Sequence, residues 1–160
     1  MPSQMTAATP RYRKDYQEPH HWVREVALVF DLGEEETLVR SKMQIEGKST
    51  ESLYLDGIGL EARGFWLAGR ELSEGEWEAC EGGVRIHDVP ERFELETLVA
   101  IKPQENSSLM GLYKSSGNFC TQCEAEGFRK ITWFVDRPDN MARFSVTMRA
   151  DKDRYPVLLS

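Results

Sequence analysis

At 160 residues the chain is long enough to bury one core without disulfide or metal staples. Its composition, 40% hydrophobic and 29% charged, is too apolar for a disordered segment. The net charge of −7 and the scattered placing of the 20 lysines and arginines exclude nucleic acid and an anionic membrane surface as partners, because both need concentrated basic charge.

The opening residues, MPSQMTAATPRYRKDYQEPHHW, contain no apolar signal region, and nowhere does an apolar run reach membrane-spanning length. The expectation is a soluble cytoplasmic protein with its three cysteines reduced. Residues 1–20, polar and aperiodic, read as a loose arm ahead of a single domain over 21–160. From there the hydrophobic period is two. Val26, Leu28, Phe30 and Leu32 share one face, Gly33 to Glu36 turn the chain, and Thr37, Val39, Ser41, Met43 and Ile45 alternate on the return.

Leu53 and Leu55 mark a further strand, GFWLAGREL another, and EWEACEGGVRIHDVP two strands across Gly82-Gly83. The acidic stretch from Glu71 to Glu81 reads as a solvated edge or loop. RFELETLVAIKP is the clearest strand, with Phe93, Leu95, Thr97, Val99 and Ile101 inward, Glu94 and Glu96 outward, and Pro103 as its end. Short strands with frequent turns and no long helical period predict a mostly all-β fold, an antiparallel β-sandwich or saddle-like domain. One short helical turn is expected near 126–135, before Pro138. MARFSVTMR alternates again, with Phe144, Val146 and Met148 on one side.

Three chemical readings compete around Cys120-Thr-Gln-Cys123. A structural zinc site needs a second ligand pair, and Cys80 stands alone. A redox pair would open a helix after a strand, where none is predicted. Plain buried thiols remain. His20, His21 and His87 are not spaced to share a metal, and no H-E-x-x-H, G-x-S-x-G or phosphate loop occurs. No catalytic centre is legible. On an extended segment Gln122 and Glu124 would point to the same side, about 7 Å apart. They are either a solvated strand face or a receiver for a cation with hydrogen-bond donors.

The stretch from Gly111 onward carries GLY, CTQCEAEGFR, DRPD, ARF and ADK followed by YP and LLS in an order and spacing that resemble the N-terminal domain of bacterial aminopeptidase N, a gluzincin zinc metallopeptidase. YRKDYQEP, LDG and VPERFELET agree more loosely upstream. The resemblance implies a β-sandwich or saddle. It further implies that Glu124 holds the free α-ammonium of a peptide N-terminus and that Gln122 lines the first side-chain pocket.

In that family the zinc, its H-E-x-x-H helix and a second amine-gripping segment belong to the following domain. The expectation is therefore a substrate-anchoring domain with no cofactor and no activity of its own, part of an enzyme holding one zinc. Its partners would be peptide N-termini and the absent catalytic domain. The domain would be incomplete at its C-terminal end and would self-associate through an exposed sheet edge. The rival is a free-standing β-sandwich interaction module derived from that family.

Overall fold

The computed structural model describes residues 12–48 and 52–160. Eleven strands follow in chain order among them: β1 (His21–Leu32), β2 (Thr37–Gly47), β3 (Leu53–Asp56), β4 (Glu61–Leu67), β5 (Arg70–Glu71), β6 (Trp77–Cys80), β7 (Gly83–Ile86), β8 (Arg92–Ile101), β9 (Gly111–Ser115), β10 (Asn118–Gln122) and β11 (Arg143–Arg149). The only helical pieces among the described residues are three single 3₁₀ turns, Arg13–Asp15, Pro103–Glu105 and Phe128–Lys130. The all-β reading holds, and the last of these turns is the one expected near 126–135.

The strands make a six-stranded sheet in the order β11-β1-β2-β8-β4-β5, a three-stranded sheet β3-β7-β6, and the hairpin β9-β10. Alternation sets which faces meet. Thr37, Val39, Ser41, Met43 and Ile45 of β2, and Phe93, Leu95, Thr97, Val99 and Ile101 of β8, are all buried as the period of two requires. From the smaller sheet come Leu53, Leu55, Val84 and Ile86, and all of these apolar side chains join one core cluster. Trp133 closes one side of it, stacked obliquely 6.1 Å from Phe65, which lies 4.7 Å from Trp77. On the outer face, Lys42 pairs with Glu94 and Glu96, and Arg40 pairs with Glu96.

Two features go beyond simple alternation. A β-bulge falls between Val23 and Glu25, so Val23 and Val26 both face inward although three positions apart. In addition, β11 joins β1 in parallel, with Val26 opposite Phe144, Leu28 opposite Val146 and Phe30 opposite Met148. Every other described strand pair is antiparallel. Phe144 and Val146 stand on the sheet edge and are 45% and 40% exposed, so the sequence-level pairing of these residues on one face is correct but that face is only partly covered.

The chain either side of β1 and β11 is tied down by charge. Glu34, in the β1–β2 turn, accepts hydrogen bonds from the Tyr155 hydroxyl (2.6 Å) and Lys114 Nζ (3.0 Å), and Arg154 lies 2.9 Å away. Tyr155 also packs on Phe119, with ring centroids 5.1 Å apart. At the other end of the domain, Arg137 donates to the Gln17 carbonyl (2.8 Å) and Tyr16 donates to Asp139 (2.9 Å), so residues 16 and 17 of the expected loose arm are held. Residues 1–11 of that arm lie outside the described residues.

Leu95→Ala removes a fully buried side chain from the middle of β8 and is expected to cost about 2–5 kcal/mol of stability, while Glu94→Ala on the outer face costs less than about 1 kcal/mol. Urea titration of the two variants checks this, and equal midpoints would contradict the assigned faces. A second expectation concerns acid. The Tyr155 and Lys114 hydrogen bonds hold the Glu34 carboxyl down at about 2 from an ordinary 4.5, so its tie to residues 154–155 is complete above pH 4.5 and is lost as pH falls toward 2. NMR of the Tyr155 ring in native protein and in Glu34→Gln follows the release. The same acid transition in both proteins would show that Glu34 is not its cause.

Candidate functional site

Phe119, Thr121 and their neighbours reach the site on a hairpin that the sequence encodes in Ser116-Gly117. These two residues have φ of +51° and +83°, the left-handed pair that a tight two-residue hairpin of the right twist requires. β10 then runs antiparallel to β9 and stops at Gln122, opposite Gly111. Gly111 has φ of +77°, and a Cβ there would come 2.7 Å from Lys130 Cβ, so only glycine lets β9 pass beneath the following turn.

Beyond Gln122 the backbone leaves the sheet. Residues 124–127 form a turn closed by a hydrogen bond from Gly127 N to Cys123 O (2.7 Å), and the 3₁₀ turn Phe128–Lys130 follows directly. Gln122 and Glu124 are therefore related by a turn and not by the pleat of one strand. Gln122 Nε2 donates to the main-chain oxygen of Glu124 (3.2 Å), which draws the two residues together on the exposed side. The Glu124–Ala125 peptide is cis.

Cys123 faces the other way, packed against the core, and burial pushes its thiol pKa up. A raised pKa is the opposite of what a reactive thiol needs. Cys80, Cys120 and Cys123 are all unbridged. Among the described residues no group of three or more His, Cys, Asp or Glu side chains could hold a metal ion, and no helix is long and apolar enough to cross a membrane.

Behind the turn lies a cluster of opposite charges. Arg129 donates through Nε to Asp136 Oδ2 (2.9 Å) and through Nη2 to the Asp136 carbonyl (3.0 Å), and its own backbone N–H also donates to Asp136 Oδ2 (3.1 Å). Its Nη1 lies 3.5 Å from Asp56 Oδ1, and Nη2 lies 3.5 Å from Glu126 Oε1. Asp136 N donates to Asp56 Oδ2 (3.0 Å). Asp56 and Phe134 form a two-way backbone bridge, and Ile58 N donates to the Arg129 carbonyl, so β3 is stitched to residues 129–136. Burial alone would weaken the hold of the guanidinium on its proton, but the Asp136 hydrogen bond and the charges of Asp56, Asp136 and Glu126 together push its pKa above the usual range. Burial raises the carboxyl pKa of Asp56, more than the Asp136 N–H and Arg129 lower it.

Asn140 completes the frame. It is buried, accepts from Val23 N (2.9 Å) at the β1 bulge and donates to the Val135 carbonyl (2.9 Å). Phe128, Phe134 and Phe144 pack with centroid separations of 4.9 to 5.8 Å and join the turn to β11. Against this fully engaged background Glu124 stands out. Its side chain is exposed, and among the described residues neither a hydrogen bond nor an ion pair engages its carboxylate.

Arg129, Asp56, Asp136 and Asn140 were not singled out as site residues by sequence reasoning. For all but Asn140, which follows DRPD directly, the signal lay in the very segments that carry the resemblance. LDG supplies Asp56, CTQCEAEGFR supplies Gln122, Glu124 and Arg129, and DRPD supplies Asp136, Arg137 and Asp139. Segments up to 80 residues apart in sequence are thus brought to one place.

Aminopeptidase N of Escherichia coli (strain K12) is 41% identical over 155 residues, covering 94% of this chain and 17% of that protein. The chain thus spans about a sixth of the length of that relative. Among solved structures, aminopeptidase A of Legionella pneumophila in complex with aspartic acid superposes with a TM-score of 0.85 at 28% identity, over 91% of this chain and 18% of that one. An M1 zinc metallopeptidase of Deinococcus radiodurans shares the fold, with a TM-score of 0.68 at 17% identity, over 82% of this chain and 32% of that one. Residues 86–160 match the family model of the peptidase M1 N-terminal domain, and the chain belongs to that family.

Proposed function

We propose that this chain is the substrate-anchoring N-terminal part of a zinc aminopeptidase, in which Glu124 binds the α-ammonium of a peptide and Gln122 lines the pocket for its first side chain. The observation that carries the proposal is the unengaged Glu124 carboxylate, set on a turn whose other charges are already paired. Family membership supplies the context of peptide hydrolysis.

The chemistry follows from charge. A peptide α-amino group has an ordinary pKa of about 7.7–8.0 and is mostly protonated at neutral pH. Glu124 offers it a charge-assisted hydrogen bond that an internal amide nitrogen cannot make, so the site favours free N-termini over internal peptide bonds. Gln122, held by its bond to the Glu124 carbonyl, presents an amide beside that contact. When bound in the adjoining domain, zinc supplies a polarised carbonyl and an activated water. These 160 residues contribute binding and orientation, in a cytoplasmic enzyme, and are inactive by themselves.

Replacing Glu124 by Ala or Gln in the full-length peptidase is expected to reduce kcat/KM for aminoacyl substrates by about two orders of magnitude or more, because truncating one partner of a desolvated charge pair costs about 2–5 kcal/mol. Near-normal activity would sink the assignment. The 160-residue chain with added zinc should release nothing from the same substrates.

The partly covered row of Phe144 and Val146, beside the outer edge of β11, also leads us to expect self-association of the isolated chain. Light scattering across a concentration series reads this, and a constant monomer mass at the highest concentration would oppose it.

A further inference from the structure

The carboxylates around the Glu124 turn are unequally engaged. Glu126, Asp136 and Asp56 all converge on Arg129, within 2.9 to 3.5 Å, whereas Glu124 does not. Arg129 is only 15% exposed and is fixed at both side chain and backbone. Its N–H donates to Asp136, its carbonyl accepts from Ile58, and its guanidinium spans Asp136 and Asp56. A planar guanidinium provides this fork, and an ammonium does not. Arg129 also begins only two residues beyond Gly127, whose N–H closes the turn that displays Glu124.

We infer that Arg129 is a positioning residue for the substrate ammonium: by gathering Asp136, Asp56 and Glu126 it fixes the turn and leaves Glu124 as the carboxylate open to a protonated amine. The inference rests on the reading of Glu124 given above. It carries a sign that separates it from a simple charge effect. Removing a cation from beside an amine-binding carboxylate would strengthen amine binding if long-range attraction were all that mattered. Loss of positioning has the opposite consequence, because a displaced carboxylate no longer meets the ammonium at hydrogen-bond distance.

The test is a double-mutant cycle in the full-length zinc-loaded peptidase, with R129Q and E124Q alone and combined, on substrates bearing free N-termini. R129Q should raise KM and lower kcat/KM about tenfold or more, yet change kcat/KM less than about threefold when E124Q is already present. R129K should resemble R129Q, since it keeps the charge and loses the fork, and it carries the test should R129Q not fold. A lower KM in R129Q, wild-type kinetics in R129K, or an equal cost of R129Q in both backgrounds overturns the positioning role while leaving Glu124 untouched. If E124Q itself is without effect, the reading of Glu124 falls and this inference falls with it.

Discussion

The geometry of the site depends on one half-buried cation. Arg129 sits where a turn, the end of β3 and the Val135–Asp136 segment meet, and it adds polar ties to the apolar packing of Leu55, Phe134 and Val135. A guanidinium satisfied by two carboxylates and a carbonyl makes these ties at a desolvation cost that is offset only while every partner stays in place. Burial also raises the carboxyl pKa of Asp56, outweighing the help it receives from the Asp136 N–H and Arg129. The arrangement is therefore intolerant. Losing any one member strands a charge in a poorly hydrated place.

Charge is sorted in the same manner elsewhere. Glu34 is taken by Lys114, Tyr155 and Arg154, Glu76 by Arg70 and Ser73, and Asp139 by Arg137 and Tyr16. The chain carries 27 acids against 20 bases. Exposed partnerless carboxylates are cheap on a convex surface. The Glu124 carboxylate acquires significance from its setting, on a turn braced from behind and flanked by an amide, in a member of a peptidase family.

Much of the sheet could be read directly from residue order because one buried and one solvated face impose strict alternation. Thr37 to Ile45 obey it throughout, and Phe93 to Ile101 do so except at Ala100, which is small and also buried. The bulge at Val23–Glu25 escaped because an extra residue breaks the period without any composition cue. Ser116-Gly117 carries a usable hairpin signal, whereas the parallel docking of β11 on β1 has none, since partner choice between distant strands is decided by the assembled core. At the site, an extended reading puts Gln122 and Glu124 on one strand, whereas the strand stops at Gln122 and the turn takes over. Arg129 and its acids lie too far apart along the chain for local spacing to reveal their meeting.

The parallel ladder has a consequence for how such a chain comes into being. Its paired residues are 118 positions apart, as for Glu25 and Arg143, so a ribosome must deliver nearly the whole segment before β1 gains its second neighbour. Until then the rim of β1 is an open template for foreign strands. Because Phe144 arrives with β11 and lodges against Phe128 and Phe134, the turn that carries Glu124 acquires its last apolar support only at that late step. Nascent material should thus pass through a stage in which the central sheet is built while the turn at residues 124–127 is still unsupported on that side.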